Sequence, residues 1–383
     1  MNKRLLEINT NLIVYNTVSK NENRDCSDYI ANLLDPLGFE VKRDSFQDKH
    51  GVNKEQIIAS IGPDCDGGLI LSGHIDTVPF ENQKGWTRDA LKLQLEDDKF
   101  YGRGTCDMKV FIGQCLSTAE ELALDKLKKP LHFVFTADEE VGCLGAKRLS
   151  DNFSEILKRK SLPKRAIIGE PTSFNIINTH KGIAHFSILI HGVGGHSSRP
   201  DRGMNAIEGL GDIIQAVKEL NEKFKREMNE ELRNIFPDFP YNHLHMAMVN
   251  GGLALNMIPE TVELALSYRS FPNEDPKRVL NELMEKTKDF KNIEYKNLFL
   301  TPGMPISLNE ELEKVLKAEF SKNKTESVSF ATDGGYIKML GIETYICGPG
   351  DIKEAHTPNE FISVNDFYKG ADHIKNICNQ LLF

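Results

Sequence analysis

The sequence predicts an α/β protein on a buried, largely parallel sheet, interrupted by a second domain of α+β type. Three observations carry this. Compact apolar runs at 57–61 (IIASI), 69–73 (LILSG), 131–137 (LHFVFTA), 166–169 (AIIG) and 344–347 (TYIC) have the length of strands. Near-continuous hydrophobicity marks strands covered on both faces. Between the runs, 25–37, 109–125 and 142–158 carry apolar residues at helical spacing. Near residue 182 the texture changes: 184–191 (AHFSILIH) and 262–269 (VELALSYR) alternate apolar with polar residues, as half-exposed antiparallel strands do. A helix is expected over 204–234 and another over 276–289. The α/β texture returns near 294 and closes in a helix at 364–382. The expected organisation is therefore one domain from 1–181 and 294–383, with a domain at 182–293 inserted into it.

Composition narrows the function classes. The chain has 383 residues, 40% of them hydrophobic and 27% charged, with a net charge of −9. That composition excludes a disordered, collagen-like or disulfide-framework protein. The acidic balance argues against a nucleic-acid partner, which selects a basic surface. No run of about 18 apolar residues predicts a membrane span. Glu7, Asn9 and Asn11 interrupt the apolar start, so no signal-peptide core is expected. The seven cysteines are odd in number and lack a CxxC pair, which suits reduced thiols and a cytoplasmic location.

Chemistry-bearing residues recur where strands end. GHIDTVPF sets His74 and Asp76 after a strand, on one face if the chain stays extended. A metal-binding imidazole usually donates its second N–H to a carboxylate, a role open to Asp76. In YGRGTCDMK, Asp107 has two competing readings: a helix N-cap or a ligand. Its neighbour Cys106 reads first as a small buried residue. TADEEVG presents Asp138, Glu139 and Glu140 in succession. Adjacent carboxylates leaving a sheet repel unless a cation or shared proton offsets them. One glutamate can bind metal while the other faces an attacking water. Glu170 ends a further strand in IIGEPTS, and His356 lies on a Gly/Pro-rich loop in GPGDIKEAHTPNEF. Strand carboxyl ends are where open α/β sheets bind ligands. Mixed imidazole and carboxylate donors suit zinc, with cobalt and manganese as alternatives. Two histidines and three acids exceed the needs of one tetrahedral ion, and match two ions sharing a carboxylate.

These blocks, with GGHSSRP at 194–200, resemble in order the signatures of the co-catalytic zinc aminoacylase and carboxypeptidase superfamily, over nearly the whole chain. The resemblance implies a three-layer α/β/α catalytic domain and an inserted ferredoxin-like lid and dimerisation domain. It implies His74 and Glu170 on one metal, Glu140 and His356 on the other, and Asp107 bridging both. It makes Glu139 the general base for water activated between the metals, and Asp76 the carboxylate that orients His74. It also implies a cis peptide after Asp107. His196 would reach across a homodimer to the partner's oxyanion, and Arg269 would clamp the substrate's α-carboxylate. Asn256 would share that pocket, with Lys181 and Asp333 as neighbours. Val110 departs from the glycine usual after DMK.

The substrate implied is a small N-acylated amino acid. WTRDALKL, THKG and CGPGDIKEAH look most like the branch that removes acetyl from N-acetylornithine in arginine biosynthesis. Desuccinylation of N-succinyl-diaminopimelate is the nearest competitor, followed by a broad aminoacylase or dipeptidase. From another class, a non-catalytic metal-binding scaffold would have lost a ligand or Glu139, and none is lost. A dinucleotide-dependent oxidoreductase would need a glycine fingerprint that the first strand lacks.

Overall fold

The computed structural model describes residues 2–157 and 159–383. The chain divides into two compact units. The first comprises the residues up to Asn178, Ile306–Glu326 and Thr332–Phe383; the second comprises Thr179–Pro305 and Ser327–Ala331. No helix among the described residues is long and apolar enough to cross a membrane.

The first unit is built on a mixed sheet. In spatial order its strands are Glu40–Gln47, Asn53–Ile61, Leu131–Thr136, Leu69–His74, Arg165–Pro171, Glu343–Gly348 and Ile177–His180, of which Ile177 and Asn178 belong to this unit. The central strands, from Leu131–Thr136 to Glu343–Gly348, run parallel, and Glu40–Gln47, Asn53–Ile61 and Ile177–His180 pair antiparallel at the flanks. Leu131–Thr136 and Leu69–His74 are buried along their whole length, which is why they read as unbroken apolar runs.

Alternation along these strands decides what each face does. Ile57, Ala59, Leu69, Leu71, Leu131, Phe133, Phe135 and Ile167 enter the main core. There they meet helices Arg24–Leu34, Lys109–Glu121, Glu310–Glu319 and Val364–Leu382. With side chains at period two, Ser72, His74, Thr136 and Glu170 turn to the opposite face. That face is covered by helices Leu144–Leu157 and Gly334–Met339, which meet through Cys143, Ala146 and Tyr336. The result is three layers. Lys109–Glu121 is buried from Lys109 to Ala119, and Phe111 packs so closely on Gly169 that any Cβ there would overlap its ring.

The second unit runs strand Gly182–His191, helix Ala206–Arg226, strands His243–Gly251 and Thr261–Ser270, helix Arg278–Lys286 and strand Ile293–Thr301. This β-α-β-β-α-β sequence forms an antiparallel sheet in which Thr261–Ser270 and Gly182–His191 lie between His243–Gly251 and Ile293–Thr301. Phe186, Ile188, Leu264, Leu266 and Tyr268 pack with Ile213, Val217, Leu220 and Leu283 of the helices. Burial alternates along Thr261–Ser270, so Arg269 faces away from those helices.

Two helix expectations are corrected. The helical period over 204–234 continues across a break: Ala206–Arg226 ends, and Asn229, extended at φ −131° and ψ 178°, caps a new helix Glu230–Ile235 by accepting the Leu232 N–H. The expected 25–37 helix is α-helical only over Arg24–Leu34, and a 3-10 turn containing Pro36 follows. Of the helix expected at 142–158, Leu144–Leu157 is formed, and residue 158 lies outside the described residues.

Candidate metal centre

Parallel register assembles the first part of the site. Ile70 lies opposite Ala166 and Ser72 opposite Ile168. Two residues further along, His74 and Glu170 are level with each other on the same face. His74 is paired in register with Thr136 on its other side, and the chain then turns into Asp138, Glu139 and Glu140. All three strands run in the same direction, so these groups gather at one carboxyl edge.

Asp107 joins them from the turn before Lys109–Glu121. Its candidate N-cap role is not taken: Met108 occupies the cap position without a side-chain cap bond. The Asp107–Met108 peptide is cis. The Asp107 carboxylate instead divides between two imidazoles. Oδ1 is 3.0 Å from His74 Nε2 and Oδ2 is 3.2 Å from His356 Nε2. His356 Nε2 is also 2.9 Å from Glu140 Oε2. Donor atoms of His74, Asp107 and Glu170 cluster within 4.8 Å of one another, as do those of Asp107, Glu140 and His356. Two three-residue clusters thus share one aspartate, each oxygen facing a different cluster.

The charges explain what such a place requires. Asp107, Glu170 and Asp333 are buried, and Glu139 and Glu140 are half-buried beside them. Burial, then the charge of Glu170, pushes the Glu139 carboxyl well above the usual range. Burial and Asp107 bring Glu140 up to about 7, and burial and Asp107 also raise Glu170. Burial opposes ionisation of Asp107 too, yet hydrogen bonds from His356 and His74 hold its carboxyl below the ordinary carboxylate range. His356 rises to about 10 on its bonds to Asp107 and Glu140. His74 also rises well above its usual value, since Asp107 outweighs its burial. This crowding of buried carboxylates against two imidazoles is the kind of charge that divalent cations would neutralise. Glu140 Oε1 is buried without a hydrogen-bond partner, a further sign that the donor set is incomplete by itself. Nitrogen and carboxylate oxygen in two clusters fit a pair of divalent ions.

The backbone of 138–140 is fixed from behind. Asp76 accepts the Glu139 N–H at 3.0 Å, the Glu140 N–H at 3.2 Å and the Ser19 hydroxyl at 2.7 Å. Lys54 pairs with Asp138 at 3.0 Å, both side chains buried. His74 Nδ1 meets the main-chain oxygen of Asp76 at 2.9 Å, while the Asp76 carboxylate is 3.8 Å away. This differs from the expected carboxylate–imidazole contact: the amides of Glu139 and Glu140 and the Ser19 hydroxyl occupy that carboxylate. Glu139 also lies beside Cys143, whose thiol is 3.4 Å from Oε1, and close to Asp333. Cys143, Ser19 and Lys54 were not anticipated. Ser19 and Lys54 act on residues far along the chain, and no local motif announces them.

The remaining candidates belong to the second unit and lie outside these clusters. His196 is exposed in a short strand paired with Met257–Ile258, its Nδ1 2.8 Å from the Ser198 hydroxyl. Asn256 is exposed and accepts the Ser197 N–H on its main-chain oxygen at 3.1 Å. Lys181 donates to the carbonyls of Phe239 and Tyr241 at 2.7 and 2.6 Å amid the rings of Phe236, Phe239 and Phe271. Those contacts commit it to holding that loop. Arg269 differs from all of these. Its Nη1 is buried with no hydrogen-bond partner, and burial alone depresses its pKa, with no carboxylate raising it.

Residues 70–380 match the family described as Peptidase family M20/M25/M40. The acetylornithine deacetylase of Shigella sonnei is 36% identical over 374 residues, covering 93% of this chain and 92% of that protein. That of Buchnera aphidicola from Acyrthosiphon pisum is 33% identical over 391 residues, covering 98% and 97%. Among solved structures, an M20 family metallo-carboxypeptidase from Sulfolobus solfataricus superposes with a TM-score of 0.77 at 19% identity, covering 100% of this chain and 99% of that one. A dinuclear metal-binding peptidase from Bacillus subtilis gives a TM-score of 0.65 at 16% identity, covering 98% and 96%. The chain belongs to peptidase family M20/M25/M40 and is a metal-dependent amidohydrolase.

Proposed function

We propose that this chain hydrolyses the acetyl amide of N-acetyl-L-ornithine to give L-ornithine and acetate, a step of arginine biosynthesis. The observation that carries the chemistry is the Asp107 carboxylate, shared between the His74–Glu170 cluster and the Glu140–His356 cluster. The substrate assignment rests on relatives at 33–36% identity over nearly the full chain, which are named acetylornithine deacetylases. His74 and Glu170 would hold one divalent ion, Glu140 and His356 the other, and Asp107 both; zinc suits the donors best, with cobalt or manganese as substitutes. Such ions polarise an amide carbonyl and make a water acidic enough to attack it near neutral pH.

The protein's own residues do the rest. Glu139 lies outside the two clusters that share Asp107, so its carboxylate is left to take the proton of the attacking water and pass it to the departing amine nitrogen. Asp76 holds the Glu139 amide and so sets where that carboxylate starts from. Arg269, whose buried Nη1 has no partner and whose charge faces no acid, clamps the substrate's α-carboxylate through paired N–H donors, with Asn256 assisting.

The partner's His196 supports the oxyanion in a homodimer. A dimer is favoured by the edge strand His243–Gly251, where Met248 is 62% exposed, and by Leu253 and Leu255 just beyond it, 90% and 105% exposed. The seven unpaired cysteines suit a reducing cytoplasm.

The test is a side-by-side assay. Metal-loaded protein is offered N-acetylornithine, N-succinyl-diaminopimelate and a set of acetylated amino acids. The highest kcat/KM is expected for N-acetylornithine, and a clear preference for the succinylated substrate overturns the assignment.

A further inference from the structure

We propose that Glu360, Arg103 and Gln83 form a positioning relay that fixes His356 against Asp107, and that the affinity of one of the two metals depends on it. The inference rests on the two-metal reading above and adds residues outside the ligand set.

His356 is the ligand least secured by its surroundings. Its side chain is 55% exposed, whereas those of His74, Asp107 and Glu140 are 1%, 7% and 6% exposed. It sits on a loop at φ +61° rather than at a strand end. A ligand so placed needs its backbone held from elsewhere.

A continuous chain of bonds does this. Glu360 is fully buried, and its Oε1 accepts the backbone N–H of Gly104, Cys106 and Asp107 at 3.0, 2.8 and 3.0 Å. One carboxylate oxygen thus gathers the turn that delivers Asp107, including that residue's own amide. Its Oε2 accepts from Arg103 Nη1 at 2.6 Å. Arg103, also buried, donates through Nη2 to Gln83 Oε1 at 2.7 Å. The Trp86 indole N–H reaches the same Gln83 oxygen at 2.9 Å, which fixes the orientation of the amide. The Gln83 NH2 then donates to the main-chain oxygen of His356 at 2.7 Å. The relay begins on the Asp107 amide and ends on the His356 carbonyl without touching either metal-facing atom. Groups behind ligands typically govern metal affinity by about 10–100-fold.

Gln83 is half-exposed, so Gln83→Ala tests the relay with little risk to folding, and Glu360→Gln tests its buried end. Metal-free protein is titrated with Co2+, followed by calorimetry and visible absorption. Wild type is expected to bind two ions per chain. In Gln83→Ala one dissociation constant should rise about 10–100-fold, while the other and the metal-free thermal midpoint stay unchanged. Glu360→Gln, which also loosens the turn that delivers the shared Asp107, should weaken both ions, the one at His356 more. In a His356→Ala background, Gln83→Ala should change nothing further. Unchanged constants in Gln83→Ala overturn the relay alone. So does a parallel weakening of both ions by Gln83→Ala with a lowered metal-free midpoint, which marks a merely structural role. Fewer than two ions in wild type overturns the two-metal reading, and the relay with it.

Discussion

Arg269→Leu separates a residue kept for binding from one kept for folding. The guanidinium has a buried Nη1 with no partner, and its depressed pKa has no cause but burial. An unpaired buried donor costs about 1–3 kcal/mol of stability. Leucine is shorter than arginine but apolar, so it removes that cost, and the variant should be as stable as wild type or more so. Each kcal/mol recovered raises the thermal midpoint on the order of 2–4 °C. Catalysis should move the opposite way. A charge-assisted bond to a substrate carboxylate contributes about 1.5–3 kcal/mol, which converts to roughly a 10- to 150-fold loss in kcat/KM. The assay pairs an N-acetyl amino acid with its primary amide, which lacks the carboxylate. Wild type should prefer the free acid, and Arg269→Leu should erase the preference by slowing the acid alone. A variant several degrees less stable that slows acid and amide equally would refute the reasoning.

Other perturbations have equally definite outcomes. Glu139→Gln should retain both metals while lowering kcat by about 10²–10⁴-fold; elemental analysis beside turnover checks this, and wild-type turnover would remove Glu139 from the mechanism. Asp76→Ala strips the acceptor from two backbone amides, so the metal-free protein should lose about 2–6 kcal/mol in urea unfolding. An unchanged metal-free stability would mean that Asp76 serves only His74. Buried His132, with Nδ1 2.8 Å from the Ser60 hydroxyl, has its pKa pushed down by burial from 6.5 to about 3. Between those values the unfolded chain binds the extra proton, so stability rises with pH across that window and is lost on acidification. The loss from pH 7 to pH 5 should be about 2 kcal/mol from this group, and His132→Gln should flatten that slope. An identical slope in the variant would count against it.

What could be read in advance follows from physics that acts locally. Leu69–His74 and Leu131–Thr136 were legible because burial on both faces leaves no polar alternation. His74, Asp107, Glu140, Glu170 and His356 stood out by their places beside such runs, and the structure gathers them into two clusters. The break before Glu230–Ile235 was hidden because apolar spacing continues through it and only the Asn229 side chain marks the new start. Whether Asp107 capped a helix or faced imidazoles was also undecided, since either use suits an aspartate before a helix. The two-residue spacing leaves Asp76 open as a partner of His74, 3.8 Å away, but does not show that its carboxylate also binds amides more than 60 positions away. Ser19, Lys54 and Glu360 act over similar or greater separations. Such pairings are set by topology, and a window of neighbouring residues carries no trace of them.

The most direct measurement is anomalous diffraction from crystals of the metal-loaded protein, recorded on both sides of the metal absorption edge. Two peaks per chain are expected, one bonded to Asp107 Oδ1 with His74 and Glu170, the other to Oδ2 with Glu140 and His356. A single peak, or peaks that leave Asp107 without a metal on one of its oxygens, would contradict the shared-carboxylate centre.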